Sequence, residues 1–196
     1  MIQSNAFPQP KKYHIIYADP PWDLKAGSPN LHAKHQGNRP LCYPTMTIEQ
    51  IRGLPIAILV DKDAVLFLWT TNKYIEDAFG IVKAWGFEYS TMLVWCKAPK
   101  GRGLGGTFGI STEYILFARR GNLRSKERHW STWFEAKRGE HSEKPEIVRD
   151  IINKCFEGNK LELFARRKAL GWDCWGNEVE SSIKLETSLQ RGENNR

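Results

Sequence analysis

An acid and two prolines follow a short apolar run near the start of the chain, in the sequence YADPPW at residues 17–22. The run Tyr13–Ala18 predicts a buried strand, because it is short, apolar and partly β-branched. The prolines cannot donate to a strand ladder, so the strand must end there and leave Asp19 at its carboxyl end. Ligands of open α/β sheets bind at this edge. The alternative interpretation is a Pro-Pro turn capped by Asp19, with Trp22 filling the core.

The other elements alternate between strand-like and helix-like patterns, which favours an α/β fold with a largely parallel sheet. Short apolar runs predict strands over residues 12–18, 64–70, 89–97, 112–120 and 160–166. Helical spacing predicts helices over residues 47–56, 74–86 and 144–156, with Thr47 and Gln50 as a capping box at the first. After Val179 the apolar periodicity is lost, so we expect a flexible tail over residues 180–196.

The bulk composition places the chain among soluble globular domains. Its 196 residues fit one domain, and 41% of them are hydrophobic. No apolar stretch is long enough to span a bilayer, and the first residues lack the layout of a signal peptide. We therefore expect a cytoplasmic protein without a membrane partner.

Cysteine and histidine spacing gives no support for a metal site. Cys42, Cys96, Cys155 and Cys174 are scattered without a Cys-x-x-Cys spacing, so we interpret them as reduced thiols. His32 and His35 could share an ion, but no second ligand pair follows them. We expect no metal.

The positive charge of the chain is concentrated in one segment. The net charge is +7, and residues 97–144 hold eleven Lys or Arg against five Glu. Aromatic residues are interleaved there, a pattern typical of surfaces that bind nucleic acid. Arg102, Arg124 and Lys126 are the candidate phosphate contacts. The alternative is a solvated basic face.

Residues 98–109 hold five glycines, and Gly101, Gly103 and Gly106 match the pattern Gly-x-Gly-x-x-Gly. A dinucleotide fingerprint requires a helix at the third glycine, whereas the chain here continues as a predicted strand. A nicotinamide enzyme is therefore disfavoured, and we interpret the segment as a flexible, basic gate.

Five segments in a fixed order carry a family resemblance: DPPW after the first strand, LFLWTT, STEYILFARRGN, SEKPEIV, and LELFARRKALGWDCWGNE. Together they resemble the MT-A70-like family of adenine N6-methyltransferases, from about Tyr13 to Glu178. The resemblance implies a Rossmann-like methyltransferase, a three-layer α/β/α fold with a mostly parallel mixed sheet. It also implies S-adenosyl-L-methionine as cofactor. The expected organisation is an N-terminal extension over residues 1–12, a methyltransferase domain over 13–179, and the tail.

The implied chemistry assigns a role to each residue of the Asp-Pro-Pro-Trp motif. Adenine's exocyclic amine is a poor nucleophile, and acceptors aimed at both of its N–H bonds would make it more reactive. Asp19 would supply one acceptor and the Pro20 carbonyl the second, while Pro21 keeps both in place. Trp22 would stack on the base or wall the pocket. The base must leave a duplex to arrive there.

The resemblance implies further site residues by position. Tyr43 and Glu113 would line the target pocket. The cofactor would be held by Lys144 and by residues near the last strand, with Asp19 beside it: Arg166, Arg167, Asn177 and Glu178. Arg167 and Lys168 stand where eukaryotic members carry a longer stretch with His-Asn. For Tyr43, Glu113 and Lys144 the alternatives are a core aromatic, a strand-edge acid and a surface lysine.

Two classes of function stay open from the sequence. The first is an enzyme that methylates adenine N6, in DNA rather than RNA by family analogy. The second is a non-catalytic nucleic-acid-binding subunit, which the intact Asp-Pro-Pro-Trp motif disfavours. The sequence does not determine the oligomeric state.

Overall fold

A computed structural model describes residues 11–23, 44–98, 107–127, 131–137, 139 and 143–185. Within these ranges one sheet has seven strands: β1 (Tyr13–Ala18), β2 (Val60–Thr70), β3 (Glu88–Ala98), β4 (Thr112–Arg120), β5 (Trp133–Lys137), β6 (Lys160–Leu163) and β7 (Asp173–Trp175). The α-helices of the same ranges are α1 (Ile48–Arg52), α2 (Ile75–Ala84) and α3 (Ile147–Cys155). Short 3₁₀ turns at Ile56–Ile58 and Asn72–Tyr74 precede β2 and α2. None of the described helices has the length and apolar character to cross a bilayer.

The strand order is β5-β3-β4-β2-β1-β6-β7. Only β4 runs against its neighbours, pairing antiparallel with both β2 and β3, while the other four pairings are parallel. The predicted α/β class with a mostly parallel mixed sheet is therefore confirmed. From central β1 the chain goes first to β2 on one side and later to β6 on the other. That reversal makes the carboxyl end of β1 the point where such sheets bind ligands.

Alternating residues of the central strands feed two separate cores, because successive side chains of a strand point to opposite faces. Ile16 and Leu66 pack with α1 and α2 on one face. Ile15 and Val65 pack with α3 on the other. Helices on both faces of one sheet give the three layers that the resemblance implied.

The capping residues predicted at the ends of α1 and α2 are present in the structure. The Thr47 hydroxyl accepts from the Gln50 backbone N–H at 3.2 Å, and the Gln50 side chain accepts from the Thr47 N–H at 2.8 Å. This capping box begins α1. The turn after α2 places Gly86 at φ +81°, a conformation that favours glycine.

The sequence analysis missed β5 and β7, which are the two edge strands of the sheet. Strand β7 has three residues, and β5 alternates between exposed and half-buried positions. Short edge strands bury little apolar surface, so they leave a weak pattern in the sequence.

The domain boundaries stay a prediction, but the described part of the expected tail contacts β7. The Ser182 N–H donates to the Cys174 carbonyl at 2.7 Å, and the Ser182 hydroxyl accepts from the Cys174 N–H at 3.1 Å. Ile183 and Leu185 pack against the core. Of the predicted extension, residues 1–10 lie outside the described ranges, and Lys11 pairs with Asp173 at 2.6 Å.

Candidate active site

Asp19 lies directly after β1, where the sequence places it. The last β1 residue, Ala18, is flanked by Leu68 of β2 and Leu163 of β6, so Asp19 emerges at the centre of the sheet's carboxyl edge. The backbone beyond it is fixed, since the Met46 N–H donates to the Pro21 carbonyl at 3.1 Å. A carboxylate on a rigid backbone at a ligand-binding edge is preorganised for catalysis.

The Pro20 carbonyl, which the resemblance implies as the second acceptor, already accepts one hydrogen bond within the chain. It accepts the Trp22 N–H at 2.8 Å and closes a three-residue turn around Pro21. The hydrogen bond fixes the direction of the carbonyl. A carbonyl oxygen has a second lone pair, which remains available to a substrate N–H.

Trp22 was expected to stack on the target base or wall the pocket, but its packing agrees with the alternative interpretation that it fills the core. Its ring stacks on Tyr74 with centroids 5.1 Å apart and an interplanar angle of 15°. Its indole N–H donates to the Trp69 carbonyl at 3.3 Å, and only 5% of the residue is exposed. Trp22 is therefore a core residue that holds the Asp-Pro-Pro turn against the sheet.

Asp19 faces a lysine from the segment before α3. The Lys144 Nζ lies 2.9 Å from the Asp19 carboxylate and 3.4 Å from the carboxylate of Glu113 on β4. Both lysine and acids are largely buried, with 14% to 21% of their side chains exposed. The predicted Glu113 and Lys144 are thus brought to Asp19, and neither is a solvated surface charge.

Burial and pairing shift the ionisation of this group of charges. Burial raises the pKa of the Asp19 carboxyl, and the Lys144 ammonium opposes this rise. Burial lowers the pKa of Lys144, but the Asp19 and Glu113 carboxylates together hold it above its usual value. Lys144 therefore stays charged, while Asp19 takes up a proton at a higher pH than an ordinary aspartate.

Two tryptophan rings lie beneath these charges. The Lys144 ammonium lies 5.3 Å from the centre of the Trp69 ring, which packs edge-on against Trp95 at 5.8 Å. The Trp69 indole N–H donates to the Tyr17 hydroxyl at 2.8 Å. The hydrogen-bonded Trp69 ring, packed against Trp95, limits the movement of Lys144 and contributes cation–π attraction.

Two adjoining cavities open beside Asp19. One, of about 310 Å³, is lined by Lys144, Arg166 and Arg167 among others. The other, of about 180 Å³, is lined by Asn177, Glu178 and Trp175 among others. Asp19, Phe164, Arg166 and Glu178 line both. The structure thus gathers all the described residues that were predicted for the cofactor.

The close approach of two loops forms part of the wall of the smaller cavity, which Ala165, Trp175 and Gly176 line. A side chain at Gly176 would place its Cβ 2.1 Å from the Ala165 carbonyl oxygen. The Ala165 N–H donates to the Trp175 carbonyl at 3.0 Å, so the chain after β6 is joined to the end of β7. Only glycine permits this contact.

The side chains around the cavities suit S-adenosylmethionine. Cations at Lys144 and Arg166 match a carboxylate, and the acid and amide at Glu178 and Asn177 match ribose and adenine polar groups. Aromatic rings at Phe164 and Trp175 pack edge-to-face at 5.4 Å and suit the apolar faces of the molecule. The donor set therefore fits the group.

Arg167 is engaged by acids of the chain itself. Its guanidinium pairs with Glu146 and lies 3.2 Å from Glu143. These two glutamates flank Lys144 in the sequence, so Arg167 ties the β6–β7 loop to the segment that carries the lysine. The predicted direct contact with the cofactor remains a prediction for Arg167.

The structure does not bring Arg124 and Lys126 to this site. In the β2–β4 ladder Tyr114 faces Thr70 and Arg120 faces Ala64, so Arg120 lies about 20 Å from Tyr114 along the strand. The residues after Arg120 continue at the opposite edge of the sheet, where Lys126 pairs with Glu157. Neither residue lines the cleft around Asp19, because β4 runs against its neighbours.

Some predicted residues lie outside the described ranges. They include Tyr43, Arg102, His32, His35 and residues 99–106 of the glycine-rich segment. Among the residues that the structure does describe, no group of three or more His, Cys, Asp or Glu is placed to hold a metal ion.

Two site residues escaped the sequence analysis. Lys97 of β3 lies 2.5 Å from Glu113, and Phe164 lines both cavities with φ +61°. A left-handed conformation at a non-glycine residue is strained and is common near ligand sites. Strand alternation could have placed Lys97 near Glu113, but no sequence signal indicates the conformation of Phe164.

Comparison with known proteins agrees with this geometry. The model of the family described as MT-A70 matches residues 13–178. The chain is 33% identical to the Type II methyltransferase M.MunI of a Mycoplasma species, an alignment covering 96% of this chain and 88% of that protein.

Eukaryotic relatives are similar over a smaller share of their own length. The N(6)-adenosine-methyltransferase MT-A70-like protein of Drosophila melanogaster is 28% identical, over 91% of this chain and 29% of that protein. The human N(6)-adenosine-methyltransferase catalytic subunit METTL3 is 26% identical, over 91% of this chain and 30% of that protein. The chain thus spans less than a third of these two relatives.

Proposed function

The chain belongs to the MT-A70 family, and we propose that it transfers the methyl group of S-adenosyl-L-methionine to the N6 amine of adenine in DNA. The observation that carries this proposal is the placement of Asp19. Its carboxylate emerges at the centre of the sheet's carboxyl edge, 2.9 Å from Lys144 and beside two cavities that suit the cofactor.

The amine must become a better nucleophile before it can be methylated. Its lone pair is delocalised into the purine ring, and hydrogen bonds from both N–H groups draw it out of that conjugation. The Asp19 carboxylate accepts one of these bonds and the second lone pair of the Pro20 carbonyl accepts the other. Because the turn around Pro21 is already closed, the acceptors need little reorganisation during the reaction.

S-adenosylmethionine supplies a methyl group on a positively charged sulfur, which leaves as a neutral thioether. The amine nitrogen forms the new N–C bond and releases one proton, which the Asp19 carboxylate can accept. Lys144 would hold the carboxylate end of the cofactor, Arg166 its ribose, and Asn177 and Glu178 the polar groups of its ribose and adenine. No covalent bond to the protein is needed.

The choice of DNA rests on the extent of the similarity. The alignment with the Type II methyltransferase covers most of both chains, whereas that with the adenosine methyltransferases covers less than a third of theirs. Adenine N6 methylation of RNA is the second candidate, supported by the names of those relatives. A non-catalytic subunit is disfavoured, because the Asp-Pro-Pro-Trp motif is intact and Asp19 faces the cavities.

The test is incubation of the protein with methyl-labelled S-adenosylmethionine and, separately, single-stranded DNA, duplex DNA and RNA. The products are digested to nucleosides and separated. We expect label in N6-methyldeoxyadenosine, and more of it from single strands, which cost less to present the base. Label in N6-methyladenosine alone would favour the second candidate. Absence of label from all three substrates would contradict both.

A further inference from the structure

A second lysine lies behind the catalytic pair. The Lys97 Nζ is 2.5 Å from the Glu113 carboxylate, with 12% and 16% of the two side chains exposed. In the β3–β4 ladder Glu113 faces Trp95, so Lys97 projects from the same face of the sheet, two residues further along. Its ammonium also lies 5.5 Å from the centre of the Trp95 ring. The sheet itself therefore fixes this pair.

The four charged groups form a chain of alternating sign from Lys97 through Glu113 and Lys144 to Asp19. Lys144 is nearer to Asp19, at 2.9 Å, than to Glu113, at 3.4 Å. Without Lys97, two largely buried carboxylates would share a single ammonium. An uncompensated charge in such a place is costly, and the two acids would compete for Lys144.

We propose that Lys97 is a positioning residue for methyl transfer, an inference that rests on the proposed function. By pairing with Glu113 it leaves Lys144 to Asp19, which keeps the Asp19 carboxylate ionised and oriented towards the amine. Lys97 does this through Glu113 and Lys144. The other charged or titratable groups around the chain of four are Tyr17, Glu143, Glu146, Arg149, Glu162, Arg166, Arg167 and Glu178.

Most of these neighbours form ion pairs outside the chain of four, and the Arg166 guanidinium adds to Lys144 in lowering the pKa of Asp19. Arg149 pairs with Glu162 at 2.7 Å and with Glu146 at 2.6 Å. Glu143 lies near Arg167 at 3.2 Å. Arg166 lies 3.8 Å from Glu178. Among the described residues, Lys97 is therefore the cation that pairs most closely with Glu113, at 2.5 Å against 3.4 Å for Lys144.

The direct test is Lys97→Met, which keeps the length of the side chain and removes its charge. Glu113 then draws Lys144 away from Asp19, so Asp19 holds its proton to a higher pH. We expect kcat at neutral pH to fall about tenfold and the acid limb of the kcat/KM profile to move up by about one pH unit. The KM for nucleic acid should change less than about twofold, since Lys97 touches no substrate.

Two further variants separate positioning from general damage. Lys97→Arg keeps a cation beside Glu113 and should keep the wild-type acid limb. Lys97→Met combined with Glu113→Gln removes both charges of the pair, and its acid limb should return towards wild type. The matched control is Lys11→Met, which removes an ion pair with Asp173 at the other end of β1 and should leave the profile unchanged.

A substrate-free measurement keeps the test independent of the proposed function. The unfolding temperature of Lys97→Met should be lower than that of the wild type, and the difference should be largest at neutral pH. The difference should become smaller in acid, as Asp19 takes up a proton, and it should also be smaller in the double variant. Failure of the wild type to methylate would contradict the proposed function and leave this readout intact.

Two results would overturn the inference. One is an unmoved acid limb in Lys97→Met together with an unfolding deficit that does not depend on pH. The other is an increased KM with unchanged kcat and a flatter salt dependence, which would make Lys97 a phosphate contact instead.

Discussion

The Lys144 ammonium lies 2.9 Å from the Asp19 carboxylate, although 124 other residues separate the two in the chain. Asp19 comes from the end of β1 and Lys144 from the segment before α3. Their contact joins the residue that we propose activates the amine to the edge of the cavity that suits the cofactor. A methyl donor bound there would lie next to its acceptor, which is the proximity that group transfer requires.

Replacing Asp19 with Asn should reduce kcat by at least ~10²-fold, as removal of one preorganised charged hydrogen-bond partner does in other enzymes. The fold should be retained, since Asp19 lies outside both cores. The measurement is label transfer under saturating substrates, with a thermal melt as the check on folding. Asp150→Asn, on the exposed side of α3, is the control. Near-normal turnover in Asp19→Asn would make Asp19 a turn residue.

The activity should fall in mild acid. Burial raises the pKa of Asp19 more than Lys144 lowers it, so its carboxyl is protonated above the usual range for aspartate. Protonation removes the acceptor. The value of kcat/KM should therefore fall as the pH decreases through the pKa of Asp19 and should reach its maximum at pH values above that pKa. The check is a pH–rate profile of the wild type. The residual activity of Asp19→Asn should show no such limb.

Lys144→Met should weaken binding of S-adenosylmethionine about tenfold or more, which is the loss expected for one charge-assisted hydrogen bond. Isothermal titration calorimetry without nucleic acid measures it. Lys83→Met on the exposed face of α2 is the matched control. An unchanged dissociation constant would restrict Lys144 to its ion pairs with the two carboxylates.

Local information was enough to predict β1 and the place of Asp19. The strand is a continuous apolar run, and the prolines that end it are adjacent in the sequence. The contact between Asp19 and Lys144 has no local signal, because it depends on how β1 and α3 pack. The family resemblance placed both residues beside the cofactor but did not predict their direct contact.

Strand direction and packing, which have no local sequence signal, determine where other predicted residues lie relative to Asp19. Arg124 and Lys126 belong to the most basic segment, but reversal of β4 places them at the opposite edge of the sheet from Asp19. Trp22 sits within the catalytic motif, yet stacking on Tyr74 makes it a core residue. Composition shows which charged and aromatic residues are present, but strand direction and packing determine where their side chains lie.

Gly176→Ala should separate the chain after β6 from the end of β7. The added Cβ would lie 2.1 Å from the Ala165 carbonyl oxygen, so the backbone must shift at the wall of the smaller cavity. We expect a loss of about 1–3 kcal/mol in the free energy of unfolding and weaker S-adenosylmethionine binding. Denaturant melts and calorimetry measure these effects.

The neighbouring Gly171→Ala provides a comparison. Its φ of +78° strains any side chain, but no atom lies within 4 Å of an added Cβ. It should lose stability and keep its affinity for S-adenosylmethionine. Equal affinity losses in both variants would mean that general loosening, rather than the cavity wall, explains the effect.

The three candidate phosphate contacts should differ in their contribution to nucleic-acid binding, according to the edge of the sheet to which their loops belong. Arg102 belongs to the connection between β3 and β4, whose described ends lie at the carboxyl edge with Asp19, whereas Arg124 and Lys126 follow β4 at the other edge. A nucleic-acid strand that delivers its base to Asp19 passes the carboxyl edge.

Arg102→Ala should therefore flatten the plot of log affinity against log salt by up to roughly 0.7–0.9 units. The Arg124→Ala, Lys126→Ala double variant should leave the slope at its wild-type value. The target base should remain adenine in every variant, since phosphate contacts position the strand without reading it. Titrations at several salt concentrations measure the slopes, and a flatter slope only in the double variant would mean that nucleic acid also contacts the edge of the sheet away from Asp19.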